Sequence, residues 1–475
     1  MTDPSSARPG VIARLIRRIS GDRAAIPTSL AELSGSETAK AVGLAGAMIV
    51  NNVIALGSTI VFSRLLKDNQ GGGYGSLAAL VSYFLILSVV GQALQVATAR
   101  EGVLGHLGVG AGLMATTRRW TKGLLLFTLV ITIISVVLRD PIASAVGVKH
   151  DQWAAALGLP AAGLWLELSV LRGVLQGVGD YKGVGVSLIG EQGARLVLGG
   201  LLAAAGLGVT GAYLGTPLSF IAMSLFCVRR LQQHVREVEG ESLGAVTHAP
   251  AAGPSLWAHV KRAWAPIAGL IIIAVLQNID IIAAKHRFGT HVASSYGAVA
   301  VAAKVLIWVA MGAGFYLVPE VSRRRAAGED PRPILARALG IVAVCAIPVL
   351  LIFAFASHLL IKAAFGADKT AAANSLIVLG LAFTVLAATY LAIQYLLALR
   401  RTWFLVVLAA VAVAEPILLL SASHQPKNFA AVVLAIQAAG ALVAFSFALW
   451  PDRSPSPSPP SPPVTRDPRR VPEPV

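Results

Sequence analysis

The chain has 475 residues, of which 56% are hydrophobic and 13% charged, and a mean hydropathy of +0.73; a water-soluble globule of this composition would carry large exposed apolar patches, so the solvent for most of the chain is lipid. The net charge of +16 raises nucleic acid as a partner, but Lys and Arg cluster at the ends of apolar segments without the interleaved aromatics that stack bases, which argues against it. Cys227 and Cys345 both lie inside apolar runs, as small packing residues do, and imply neither a disulfide nor a metal pair.

In chain order, residues 1–39 form a basic tail without the apolar core of a secretory signal, so the first spanning helix is expected to act as its own insertion signal. Val11 to Ile19 place Arg14, Arg17 and Arg18 opposite Ile12, Leu15, Ile16 and Ile19, the pattern of an interfacial helix or of a fraying basic end. Apolar runs of about 20 residues, enough to cross the hydrocarbon core, follow at 41–63, 76–99, 120–138, 153–171, 183–205 and 209–229. After a polar stretch they resume at 264–284, 296–318, 335–355, 374–399, 402–420 and 428–450. The expected fold is an all-α membrane protein of about twelve transmembrane helices in two six-helix bundles, residues 40–230 and 263–450. Residues 231–262, with Glu237, Glu239, Glu241 and the Pro250 to Pro254 turn region, read as a linker, and the Pro/Ser-rich residues 451–475 as a disordered tail.

With the N-terminus inside, 28 of the 39 Lys and Arg residues fall on the inner side and nine on the outer. The positive-inside rule then places both termini in the cytoplasm, and topology accounts for the excess charge without a polyanionic partner. The stretch from Arg64 to Ser76 and that from His286 to Ala298 repeat one pattern: a helix ending in a basic residue, a short polar loop, then Tyr-Gly opening the next helix. Tyr74-Gly75 and Tyr296-Gly297 lie 222 residues apart. Six spans separate the copies, so both insert in the same orientation, which implies a pseudo-twofold axis along the membrane normal and a cleft between bundles that rocking exposes alternately to each side.

No loop is long enough for an ordinary active site, and the chain is expected not to be an enzyme. Gly206 to Gly211 match the GxGxxG pattern, but join two apolar helices and follow no strand. Ionisable residues inside spans are therefore the functional candidates. Glu191 and Arg195 stand four apart on the fifth span and are placed to pair, or else Arg195 faces the cleft and meets an anionic group. Asp280 on the seventh span and Lys304 on the eighth stand at similar depths and are expected to meet, as a structural lock, as a phosphate-seeking cation or as a titrating pair. Glu415 beside Pro416, and Glu167, are lone acids, open as coupling sites or as interhelical hydrogen bonders. Asn51, Asn52, Gln277 and Asn278 occupy the first helix of each half, as substrate contacts or as interhelical glue.

Ser63-Arg-Leu-Leu, Tyr74-Gly-Ser-Leu-Ala and Ala99-Arg-Glu resemble the first helical hairpin of polysaccharide flippases in the multidrug/oligosaccharidyl-lipid/polysaccharide exporter superfamily. Leu171-Arg-Gly-Val-Leu-Gln-Gly-Val-Gly-Asp-Tyr resembles their RGxLQGxG turn, and Val318-Pro-Glu-Val-Ser their eighth-helix exit, so the likeness spans roughly residues 40–450. The resemblance implies a two-bundle flippase of polyprenyl-linked sugars in the bacterial inner membrane, with a cationic cavity for the pyrophosphate. It implies no cofactor, a proton or sodium gradient as the drive, and polysaccharide polymerases or glycosyltransferases as partners. On that reading Arg195, Lys304, Asn52 and Asn278 contact substrate, Arg64 and Arg100 meet headgroups or anchor at the surfaces, and Asp280, Glu191 and Glu415 are the ion-coupling residues; no metal ligand is expected. Two other readings remain: a cation-coupled drug exporter of the same superfamily, and a non-transporting scaffold acting through its two tails.

Overall fold

The computed structural model describes residues 37–66, 73–241 and 264–450. The interfacial helix expected at 11–19, most of the linker and the Pro-rich tail lie outside them. The described residues are helical and contain no strand. In a bilayer this is the expected solution, because a helix satisfies its own backbone hydrogen bonds without water.

The N-terminal lobe comprises α1 (Glu37–Leu65), α2 (Gly73–Val103), α3 (Ala111–Val137), the short α4 (Arg139–Val146) and α5 (Gln152–Ala156), then α6 (Gly158–Gly177), α7 (Tyr181–Leu202) and α8 (Gly208–Glu241). The C-terminal lobe comprises α9 (Trp264–Arg287), α10 (Thr290–Ala303), α11 (Val305–Ala326), α12 (Arg332–Phe365), α13 (Leu376–Ala398), α14 (Phe404–Ser421) and α15 (Pro426–Leu449). Among the described residues, eleven segments are long and apolar enough to cross a membrane, and one of them, Tyr181–Glu237, contains two helices. Gly206 (φ 98°) and Gly208 (φ 52°) adopt conformations closed to residues with a β-carbon, and they fold α8 back along α7, giving twelve spans. The GxGxxG match is this reversal and follows no strand. α10 and α11 form a single span broken at Lys304.

Neighbour relations repeat between the lobes. α2 packs on α6, α3 on α6, α1 on α7, α7 on α8 and α6 on α8. In the other lobe the corresponding pairs are α11 on α13, α12 on α13, α9 on α14, α14 on α15 and α13 on α15. This is the pseudo-twofold that the Tyr-Gly repeat implied.

Two boundaries differ from expectation. The helix expected to stop near residue 229 runs through Glu241, because Arg229 to Glu241 are good helix formers once a spanning helix has nucleated them. Arg172, which falls just past the apolar run 153–171 and so among the charges assigned to the inner side, lies inside α6 with no exposed surface. Lys369, which falls between the apolar runs 335–355 and 374–399 and so among the charges assigned to the outer side, is likewise buried, beside Asp368 at 3.0 Å.

Among the described residues, the lobes meet at the end where α1 ends and α2 begins and where α9 passes into α10. There α2 packs on α9 and α10, and α1 on the end of α12. The Gly75 amide donates to Ser294 Oγ (2.9 Å), Arg64 donates to the carbonyls of Ala363 (2.6 Å) and Ala364 (3.2 Å), and His286 Nε2 lies 2.9 Å from the Ala145 carbonyl. Residues Gly73 to Leu80 of α2 are all buried, whereas Val96 and Arg100, towards the opposite end, are exposed. On α9 the order is the same: Trp264 is exposed, and Asp280 to Ala284 are buried. The contacts between the lobes that these bonds mark therefore gather at the turn end.

Candidate functional site: two buried polar clusters

In the N-terminal lobe, Glu191 Oε2 is held by Arg172 NH2 at 2.8 Å. Arg172 also donates through Nε to Ser187 Oγ and through NH2 to the Ser187 carbonyl, both at 2.8 Å, and its guanidinium lies 5.6 Å from the Trp165 ring centroid. The expected Glu191–Arg195 pair does not form. Sequence spacing made the two neighbours on one helix, but Arg172 reaches across from α6, anchored on Ser187, and meets Glu191 through NH2.

Arg195 is left half-buried on α7. It forms no ion pair or hydrogen bond with any described residue, and its Nε is buried without an acceptor. Within electrostatic reach are Glu191, Tyr213 and Tyr74, and the Tyr213 hydroxyl is also buried without a partner. A guanidinium and a phenol, both with donors unused, thus face the same region of the lobe.

In the C-terminal lobe a second cluster joins α9, α10, α14 and α15. Lys304 Nζ donates to Asn278 Oδ1 (3.0 Å), Tyr296 OH donates to Asp280 Oδ2 (3.2 Å), and Gln437 Nε2 donates to Glu415 Oε1 (3.3 Å) and to the Leu276 carbonyl (2.9 Å). All six side chains are buried. Asp280 Oδ1 and Glu415 Oε2 have no partner. The expected direct contact of Asp280 with Lys304 is absent: the break between α10 and α11 puts the ammonium on Asn278, while Asp280 acts on it only through space. Glu191 and Glu415 occupy the fifth span of their lobes 224 residues apart, close to the spacing of the Tyr-Gly repeat, so each lobe buries one carboxylate at an equivalent place.

No family model matches the chain, and no curated protein matches it. Solved structures do. An inward-facing multidrug resistance MATE family transporter of the MOP superfamily superposes with a TM-score of 0.65 at 16% identity, covering 86% of this chain and 97% of that one. Lipid II flippase MurJ in an inward closed conformation gives 0.65 at 14% identity, covering 86% and 88%. A MOP superfamily transporter from Pyrococcus furiosus, described as having a binding pocket of reversed polarity, gives 0.51 at 16% identity, covering 90% and 98%. The fold is that of the MOP superfamily.

Within the MOP fold the other expected residues scatter. Asn52 is half-buried on α1 and accepts from Asn51 Nδ2 at 3.4 Å. Asn278 is buried and belongs to the C-terminal cluster. Arg64 is exposed, but its guanidinium is spent on the α12 carbonyls that close the turn end. Arg100 is exposed at the far end of α2, where a surface anchor would sit. Glu167 is buried on α6. Among the described residues no group of three or more His, Cys, Asp or Glu is placed to hold a metal ion.

Sequence reasoning missed Arg172, Tyr213, Tyr296 and Gln437. Arg172 had a signal, since a lone arginine in the RGxLQGxG stretch lies 19 residues before a lone glutamate, but a loop assignment concealed it. The rest of that stretch is scaffold. Asp180 accepts from the Gly183 amide (2.9 Å), capping α7, and binds Arg230 Nε at 2.7 Å.

Proposed function

We propose that the chain is a lipid flippase that moves a polyprenyl-pyrophosphate-linked oligosaccharide or polysaccharide precursor from the cytoplasmic to the outer leaflet of the bacterial inner membrane, by alternating access between its two lobes. One observation carries this reading: Arg195 is a cation in a membrane-embedded lobe whose obvious counter-ion has been taken by Arg172. An uncompensated guanidinium is costly in hydrocarbon, and an arriving phosphate, which two parallel N–H donors match, relieves that cost. The unused Tyr213 hydroxyl adds a neutral donor beside it.

On the positive-inside rule the linker end faces the cytoplasm, the side on which lipid-linked precursors are assembled. Both termini then lie where a glycosyltransferase or polymerase can meet them. The reading is tested with a fluorescent polyprenyl-pyrophosphate sugar in proteoliposomes. Wild type is expected to translocate it, and Arg195→Ala to lose translocation while keeping its melting temperature. If wild type leaves the lipid unmoved yet exports an apolar cation, the drug-exporter reading replaces it. If deletion of both tails abolishes function while the lobes stay intact, the scaffold reading does.

A further inference from the structure

Helix α12 gives carbonyls near its C-terminus to Arg64 at the turn end, so its N-terminal half lies toward the opposite membrane surface, the cytoplasmic one on the positive-inside rule. There a groove of about 510 Å³ runs along the helix, lined by Arg337, Gly340, Ile341, Val344 and Cys345. These residues recur at three- and four-residue steps and therefore share one face, and all five are exposed. Gly340 makes the hollow. A β-carbon built there would meet no atom within 4 Å, so the missing side chain leaves a notch between Arg337 on the turn before and Val344 on the turn after.

The stripe has one cation at its watery end and an apolar track below it. Arg337 stands five residues into α12, about 7.5 Å along the axis, where a long basic side chain reaches the headgroup layer. Cys345 lies about 12 Å deeper, and the exposed face continues through Pro348, Leu351, Ile352 and Phe355 without a charge. Among the described residues Arg337 has no ion-pair or hydrogen-bond partner. The acids nearest in sequence are engaged elsewhere: Asp330 accepts from the Arg332 amide at 3.0 Å, and Glu329 lies 3.8 Å from Arg324.

We propose that this groove is a binding site for one anionic phospholipid of the cytoplasmic leaflet, its phosphate on Arg337 and one acyl chain laid over Gly340 along Ile341, Val344 and Cys345.

A phosphate takes two of the guanidinium donors at once, and a chain seated in the notch gains packing contacts that a convex helix surface does not offer. A single guanidinium matches a single phosphate, which favours a phospholipid over a pyrophosphate carrier. The segment from Val11 to Ile19 has an apolar face of its own, but Arg14, Arg17 and Arg18 would bring like charge to Arg337. The site is on the other lobe from Arg195 and stands whatever the lobes transport.

The test uses purified full-length protein carrying Cys227→Ala, which leaves Cys345 as its one cysteine. The protein is titrated in neutral detergent with phosphatidylglycerol or phosphatidylcholine, alkylation of Cys345 by N-ethylmaleimide is timed, and native mass spectrometry counts the lipids retained. Phosphatidylglycerol is expected to protect Cys345 at about fivefold lower concentration than phosphatidylcholine, the gain typical of one basic side chain at an anionic lipid, and to be retained as a single molecule. Arg337→Gln is expected to erase the preference, and Gly340→Leu, which fills the notch, to weaken protection by both lipids. Arg100→Gln, at the same membrane surface on α2, should change neither. Equal protection by the two lipids overturns the proposal, as does a preference that survives Arg337→Gln. Faster alkylation in lipid-free detergent after deletion of residues 1–36 would make the N-terminal segment the occupant instead, and protection by a polyprenyl diphosphate at lower concentration than phosphatidylglycerol would make it a carrier site. Should Gly340→Leu fail to fold, the protein with Gly340 intact and Arg337→Gln decide.

Discussion

The Gly75 amide donates across the lobe interface to Ser294 Oγ at 2.9 Å, and a β-carbon on Gly75 would fall 3.0 Å from both that oxygen and the Ser294 backbone nitrogen. A β-carbon on its repeat mate Gly297 would fall at a similar 3.1 Å from the Ala78 β-carbon. The two Tyr-Gly pairs therefore do more than mark a duplication, for they let α2 and α10 cross closely enough to seal the turn end. Gly75→Val is expected to weaken that closure. With Cys227 and Cys345 replaced and Ala79→Cys as a reporter, labelling from the turn side should rise about tenfold, equivalent to about 1.4 kcal/mol; an unchanged rate would show that the crossing does not govern the seal.

Arg172 and Arg195 should separate stability from transport. Arg172→Ala strands Glu191 without a counter-ion, and breaking a buried pair in this way typically costs about 3–5 kcal/mol; a large fall in detergent melting temperature is expected. Replacing both partners, Arg172→Met with Glu191→Gln, should recover much of it. Arg195→Ala removes an unpaired charge, so the protein should melt at the wild-type temperature or above. Equal destabilisation by the two single alanines would contradict the assignment of roles.

Arg64 closes the turn end through two carbonyls of α12 on an exposed surface, where screening limits the gain to about 1 kcal/mol. Arg64→Gln is expected to raise labelling of the Ala79→Cys reporter several-fold with little change in melting temperature. Arg64→Lys should not restore the seal, because an ammonium lacks the two-pronged geometry that reaches Ala363 and Ala364 together. Full rescue by lysine would mean that charge alone matters there.

Beyond the membrane-spanning part of α11, hydrogen bonds from Arg323 hold the Glu320 carboxylate below the ordinary glutamate value of 4.5, and Arg324 adds to the effect. A carboxylate depressed in the folded state contributes stability above its unfolded value and loses it as pH falls through the folded one. Wild type is thus expected to lose some melting temperature as pH drops below about 4.5, and Glu320→Gln to flatten that acid limb slightly while melts near neutrality shift little. Parallel acid limbs for the two proteins would exclude Glu320 as a contributor.

Much of the architecture was legible in the residues. Apolar run length set the number of spans, since hydrocarbon thickness converts directly into helix length. The Tyr-Gly repeat disclosed the duplication. Asp280, Lys304, Glu191 and Glu415 stood out as candidates because charges inside apolar runs are rare and expensive. Their partners were not legible. Spacing along one helix favoured Glu191 with Arg195 and similar depth favoured Asp280 with Lys304, yet the nearest contacts came from other elements: Arg172 on α6 for Glu191, Asn278 on α9 for Lys304, Tyr296 on α10 for Asp280, Gln437 on α15 for Glu415.

What the sequence by itself determined, then, was a two-lobed helical membrane protein with a few buried charges, because the cost of polar groups in lipid acts residue by residue along the chain. Which charges neutralise one another, which one stays free, and at which end the lobes meet were decided by the tertiary structure. Those outcomes depend on distances of a few ångströms between helices far apart in the chain, and Coulomb and hydrogen-bond energies in a low-dielectric interior change steeply over just such distances.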